Sequence, residues 1–430
     1  MPSDIRSTIA CARVEIDSDT IIVRDEGGGE REIAAGERRA RRFLRATAIS
    51  YAIALALFIS LAVYVNPWGN FGPVGYHSLF NSRLTKLTYF DSLPVVQRPE
   101  VVVLGASPAL RMKPSMITEM TGARAFNYCV FWGRTEDYLC LYRHWMHDLD
   151  YRPAVILLAI DTFAFAPPGG EHPVFPGMRR RLLNIPALVR HHPDVDWFRL
   201  QCSRVLDCFS RQHVEHFWRA FRNPDVIRTG YPSLPDAEAF DLDGTCVRYF
   251  PAYGGTAKSV FEQGESGELR ITRTLQSLVA RGRYDKIEWM KSYDFDGLWD
   301  ARIRYLRAFL DDCEKGGTRV VLVLNPVHPV LHEALSKRTK HTANVQAVRR
   351  LLSDLEQGHP AVSGFFDAYD LDAVRNDPDG FFDEVHYATR NADRILAGLR
   401  PMLERSMQSQ SQRGVKMATG RRRSLSREGT

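Results

Sequence analysis

Val101-Val-Val-Leu-Gly-Ala-Ser107 is an unbroken apolar run that turns on two small residues and stops at a serine. A half-solvated strand would alternate polar and apolar residues. This one does not, so it is expected to lie buried on both faces of a parallel sheet. The pattern returns at Ala154–Ile160 (AVILLAI), which closes on Asp161, and at Arg319–Leu324 (RVVLVL), which closes on Asn325-Pro326. Arg124–Tyr128 reads as a shorter second strand and Gly364–Asp367 as a short edge strand. Helical periodicity fills Asp137–Asp148, Trp299–Glu314, Thr342–Glu356 and Asn391–Arg405, the second of these halted by Gly316-Gly317. Strands alternating with such helices imply βαβ units and an α/β fold around a parallel sheet. Residues 167–291 break the rhythm with many Arg, Pro and aromatic residues. They are expected to form a mainly helical or irregular insertion over the sheet.

Upstream of the sheet, Ala46–Val65 is a charge-free apolar run whose length matches a hydrocarbon core of about 30 Å at about 1.5 Å per residue. Arg38, Arg39, Arg41, Arg42 and Arg45 stand just before it, and Tyr51, Tyr64 and Trp68 near its ends suit the headgroup layer. That arrangement predicts a single-pass signal-anchor in the inner (cytoplasmic) membrane, with the N-terminus cytoplasmic and the main domain periplasmic or extracellular. A cleavable signal peptide would have a shorter apolar core and a shorter lead. The expected domains are a mostly disordered cytoplasmic segment (1–45), the transmembrane helix (46–66), a Pro-, Gly- and Asn-rich juxtamembrane stretch (67–99), the main domain (100–402) and a disordered basic tail (403–430). The net charge of +6 is concentrated in the arginines before the anchor and in Arg421–Arg423, leaving a near-neutral body. This argues against a nucleic-acid partner and leaves the lipid bilayer as the partner of the basic clusters.

The chemistry is expected where strands end, because ligands in open α/β sheets bind at the carboxyl edge. Ser107 falls there, although a Ser-Pro step is also an ordinary way to start a helix. Far downstream, Phe382-Asp-Glu-Val-His386 places Asp383 and His386 three residues apart. A serine hydroxyl needs a base to take its proton, and the base works best when an acid orients it, so Ser107, His386 and Asp383 form a candidate catalytic set. His328, between Pro326 and Pro329, either faces the cleft or is a structural hydrogen bonder. Trp132 is a candidate pocket wall, and Asp161 and Asn325 are candidate substrate contacts. His144 and His147 share a helix without a third ligand nearby in sequence and read as surface residues. No metal and no organic cofactor is implied. The seven cysteines contain no CxxC, which argues against zinc ribbons and thioredoxin chemistry; buried free thiols are expected, with room for one disulfide. No glycine-rich phosphate loop follows Leu104, which argues against a nucleotide-binding domain.

Taken in order, these blocks resemble the SGNH (GDSL-like) hydrolase superfamily, and especially its membrane-anchored branch that serves alginate O-acetylation and teichoic-acid D-alanylation. The resemblance runs from Asn66-Pro-Trp-Gly69 through Gly105-Ala-Ser107, Asn127 to Gly133, Ala154–Phe165 and Val321–Pro329 to Asp383–His386. It implies a flavodoxin-like three-layer sandwich with a central parallel sheet. Ser107 would be the nucleophile, His386 the base and Asp383 its orienting acid, with the oxyanion held by the N–H groups of Ser107 and Gly133. It further implies a serine esterase or O-acyltransferase working on acyl groups of a cell-envelope or secreted polysaccharide, with an acyl donor and a multipass O-acyltransferase partner. Two positions depart from the family. Ala106 replaces an aspartate that does no chemistry. Asp161 stands where an asparagine amide would face the oxyanion, so either Asp161 points elsewhere, or Asn127 or Asn325 substitutes, or the site is weak; an inactive scaffold or binding module is the alternative reading.

Overall fold

The computed structural model describes residues 13–17, 20–24, 29–65, 74–76, 82–167, 182, 185–209, 214, 217–218, 227–229, 242–245, 293–381 and 385–425. Asn66–Gly69 and the catalytic candidate Asp383 lie outside the described residues. The chain divides into two compact units, Met1–Tyr64 and Val65–Thr430.

In the first unit, Arg13–Asp17 pairs antiparallel with Thr20–Arg24, and a single helix runs over Gly29–Val65. The segment expected to be mostly disordered thus contains a hairpin and the start of a helix, because Thr20-Ile-Ile-Val supplies β-branched residues and Glu30–Arg42 supplies strong helix formers. Arg39–Tyr64, whose most apolar 18 residues have a mean hydropathy of 2.2, is long and apolar enough to cross a bilayer. Most of its large side chains, Ile49, Ile53 and Leu57 among them, are exposed, so nothing among the described residues covers them.

The second unit is built on five parallel strands: β1 (Val101–Gly105), β2 (Ala125–Asn127), β3 (Val155–Ile160), β4 (Arg319–Leu324) and β5 (Val362–Asp367), in the spatial order 2-1-3-4-5. That is the order of flavodoxin-like doubly wound sheets. The helices used below are α1 (Ser82–Ser92), α2 (Pro114–Thr121), α3 (Thr135–Asp148), α4 (Asp300–Gly316), α5 (Pro329–Arg338), α6 (His341–Gly358) and α7 (Thr389–Leu425). Right-handed crossovers put α2 on one face of the sheet and α3 and α4 on the other. Accordingly α2 packs with α7, and α3 with α4. Helices on both faces explain why β1 and β3 are buried along their whole lengths and why their sequences show no polar alternation.

The sheet is closely packed where its first strand ends. A Cβ on Gly105 would meet the Ala159 carbonyl oxygen at 2.6 Å, and one on Gly133 would meet the Gly105 carbonyl oxygen at 2.5 Å. Three backbone segments therefore stack with nothing between them. Gly133→Ala is expected to cost about 1–3 kcal/mol, because neither obstacle is a flexible side chain; a lowered thermal midpoint checks it.

Two expected boundaries move. Ser82–Ser92, placed in a juxtamembrane stretch rich in Pro, Gly and Asn, is a helix of the main body, with Phe90 and Leu87 in the core. The last helix does not end at Arg405. Leu396, Leu399 and Leu403 anchor it in the core, Ser406 Oγ meets Ser363 Oγ at 2.7 Å, and Gln410 donates to the carbonyls of Ala154 and Gly317. Extending an anchored helix costs little per residue, and no proline interrupts it after Pro401.

Candidate active site

The direction of chain progression across the sheet reverses between β1 and β3, and the carboxyl ends of those two strands are where ligands bind in sheets of this kind. Ser107 follows β1. Ala106 is extended, Ser107 opens a 3-10 turn over Ser107–Arg111 with Pro108 at its second position, and no described group takes the Ser107 N–H. His386 arrives from the far end of the sequence. A bridge between Phe381 and Tyr387 and the bond from Ala388 N–H to the Gly380 carbonyl hold its loop. Tyr387 is fully buried and donates to Asn325 Oδ1 at 3.1 Å, while Asn325 N–H is fixed by the Ile160 carbonyl at the end of β3. The result is a 2.7 Å contact between Ser107 Oγ and His386 Nε2, across 279 positions of sequence. Both residues are half-buried. This is the distance over which a base removes a hydroxyl proton.

Asp161 follows β3 at the same edge of the sheet. It is 2% exposed, and its Oδ2 has no hydrogen-bond partner among the described residues. Burial pushes its pKa up to about 7, and the neighbouring Asn325 amide and His386 imidazole pull it back only in part. Asn325 Nδ2 also lacks a bond of good geometry. A carboxyl in such surroundings holds its proton near neutral pH and is then a hydrogen-bond donor.

Of the residues expected to hold an oxyanion, Ser107 has an N–H without a described partner, while Asn127 and Gly133 make their bonds elsewhere. Asn127 faces the interior. Its Nδ2 donates to the carbonyls of Ala109 and Met112, both at 2.9 Å, and its Oδ1 accepts from Cys129 N–H. With those bonds made it has nothing to offer a substrate, but it pins the turn that carries Ser107. Gly133 N–H donates to the Val130 carbonyl at 3.2 Å, closing a turn; the glycine is needed there for its lack of a side chain.

That turn is strained. Trp132 has φ of +56°, a rare conformation for a bulky residue that costs about 1–3 kcal/mol. α1 holds it in place. Arg83 donates to the carbonyls of Phe131 and Trp132 and pairs with Asp137 at 2.6 and 2.8 Å, while Ser82 Oγ accepts from Phe131 N–H. Three positions on, the fully buried Lys86 donates to the Asn127 and Gly244 carbonyls at 2.7 and 2.9 Å. Arg83→Met should strand the buried Asp137 carboxylate, at about 3–5 kcal/mol. A drop in melting temperature accompanied by faster proteolysis around Trp132 is the expected signature.

The candidate substrate contacts fare differently. Asn325 and His328 are each 2% exposed. His328 Nδ1 caps α5 by accepting from Val330 N–H at 3.1 Å, and its ring packs on Phe381 at 5.4 Å. It is therefore structural, the second of the two readings of its sequence context. Trp132 packs edge-on against Phe163 and lines a cavity of about 560 Å³ with Arg134, Arg199, Trp299, Arg304 and Tyr305. Neither Ser107 nor His386 lines that cavity. Cys129, Cys140, Cys208 and Cys313 are buried free thiols and Cys202 is an exposed one.

No protein-family model matches the chain, and no curated protein matches it.

Proposed function

We propose that this chain is a single-pass, membrane-anchored serine esterase or O-acyltransferase with an SGNH-like domain on the exported side of the membrane. The observation that carries the reading is the 2.7 Å contact of Ser107 Oγ with His386 Nε2 at the switch point of the sheet. In the reaction, His386 takes the hydroxyl proton as Ser107 Oγ attacks the acyl carbonyl. The tetrahedral oxyanion is held by Ser107 N–H and by the neutral Asp161 carboxyl. Collapse expels the alcohol, which receives the proton from His386 and leaves an acyl-serine. Water or a sugar hydroxyl then attacks that ester by the same proton route in reverse. Asp383 is assigned the orienting acid on sequence grounds. The substrate class, acyl groups of an envelope or secreted polysaccharide, and the multipass acyltransferase partner rest on the resemblance alone.

A fluorophosphonate probe tests the reading. Covalent labelling of the folded full-length chain in detergent, lost on heat denaturation, is the expected result. Folded protein that takes no label at any pH between about 5 and 9 would instead favour an inactive binding module. The buried carboxyl of Asp161 is the one observation that favours this second reading, because an ionised group there repels a developing negative charge.

A further inference from the structure

The geometry points to a site for a divalent first-row transition metal, zinc fitting best, formed by His144 Nδ1, Asp148 Oδ2 and His191 Nε2 and supported by Asp91. It stands apart from the proposed catalytic centre and does not depend on that reading. His144 and Asp148 are four residues apart near the end of α3, so both project from one face of the helix. His191 lies just past the short helix Pro186–Val189. Its N–H donates to the Leu188 carbonyl, and its own carbonyl accepts from Arg143, which is bound to Asp312 at 2.8 Å. The third ligand is thus fixed to the same helix by a built contact.

The three candidate ligand atoms all lie within 4.8 Å of one another. Asp148 Oδ2 is 2.6 Å from His144 Nδ1 and 2.9 Å from His191 Nε2. Around a tetrahedral zinc with bonds near 2.0–2.1 Å, neighbouring ligand atoms stand about 3.3 Å apart. An outward shift of under about 1 Å therefore opens the centre. The second nitrogen of His144 supplies an independent indication. Nε2 faces both carboxylate oxygens of Asp91 at 3.1 Å, the outer-shell arrangement that fixes the tautomer and orientation of a metal-bound imidazole.

Charge points the same way. Asp148 Oδ2 meets His144 Nδ1, His191 Nε2 and the Arg190 guanidinium at once. Three cationic or N–H donors thus converge on one carboxylate oxygen beside a second carboxylate, Asp91. A dication can replace those protons, with both imidazoles neutral. Arg190, whose side chain is 54% exposed, can turn to solvent. His147 stacks on His191 at 5.9 Å and is not a ligand in this arrangement. His144 is nine residues from Thr135, about 14 Å along α3, so the ion would tie α1, α3 and the His191 turn together without touching substrate.

The test uses untagged full-length protein in detergent, stripped with chelator and titrated with Co2+ and then Zn2+. One equivalent of Co2+ should give visible d–d absorption bands that Zn2+ abolishes, and Zn2+ should raise the melting temperature. His191→Ala should remove the bands, Asp91→Asn should weaken binding about 10–100-fold, and His147→Ala should change neither. Arg190→Ala should tighten binding severalfold by removing a competing cation. If His144→Ala fails to fold, the more exposed His191→Ala carries the same test. Absence of a bound equivalent in the folded wild type, or bands that survive His191→Ala, would overturn the site and leave a network of ion pairs.

Discussion

Ser107→Ala should abolish fluorophosphonate labelling and lower ester hydrolysis by roughly 10³–10⁶-fold, with the fold intact. The range follows from enzymes in which nucleophile and base act as one unit, where removing either is nearly as costly as removing both. His386→Ala should match it, and the double variant should be no slower than the worse single one. Stability separates this from a structural effect. Ser107 Oγ makes its only described side-chain hydrogen bond to His386, so the serine variant should melt within a degree or two of wild type. An esterase activity that survives Ser107→Ala would place the chemistry elsewhere in the molecule.

Asp161→Asn should change the pH profile in the opposite sense to an ordinary site mutation. The wild-type carboxyl, raised to about 7, is neutral and donating below that value and becomes a repelling carboxylate above it. Wild-type activity should therefore fall about tenfold per unit on the alkaline side, while the asparagine variant, whose amide donates at every pH, holds its rate. At about pH 9 the variant should be faster by about 100-fold. The described titratable neighbours Cys129, Tyr138 and Tyr387 do not confuse the assignment, because burial keeps them neutral through this range. Stability provides a second readout with a defined sign. The folded pKa of Asp161 lies above its unfolded value of 3.8, so the penalty is absent below about pH 3.8, grows to about pH 7 and is complete beyond it. Asp161→Asn should raise the melting temperature at pH 8, by the equivalent of on the order of 4 kcal/mol, and leave it unchanged at pH 3.5. Wild-type activity that rises to pH 9 while the variant is slower throughout would show that the carboxylate, not the acid, is the useful form.

The strands were legible because burial on both faces writes itself as uninterrupted aliphatic residues. β3 and β4 lie within one residue of where Ala154–Ile160 and Arg319–Leu324 place them. Ser107 and His386 were legible for a related reason, since each is a polar residue at the edge of a patterned element. Asn127 was misread because a three-residue strand has too little period to say which way its last side chain points. The role of Arg83 left no local trace. A charge in a Pro- and Gly-containing stretch looks solvated, and its partner Asp137 is 54 positions away. His144 was hidden in the same way, because Asp91 and His191 reach it from separate parts of the chain and only the folded packing of α1 against α3 shows that it is buried.

One consequence concerns where a water-soluble version of this protein can begin. A cut at Glu100, the point where the patterned sequence starts, would discard Arg83 and Lys86 along with their helix. The left-handed turn at Trp132 would lose the cation that grips its two carbonyls, and the Asn127 and Gly244 oxygens would face an emptied slot. Any fragment that keeps this body intact must therefore start no later than Ser82, which makes the helix Ser82–Ser92 a working part of the fold and not a disposable tether.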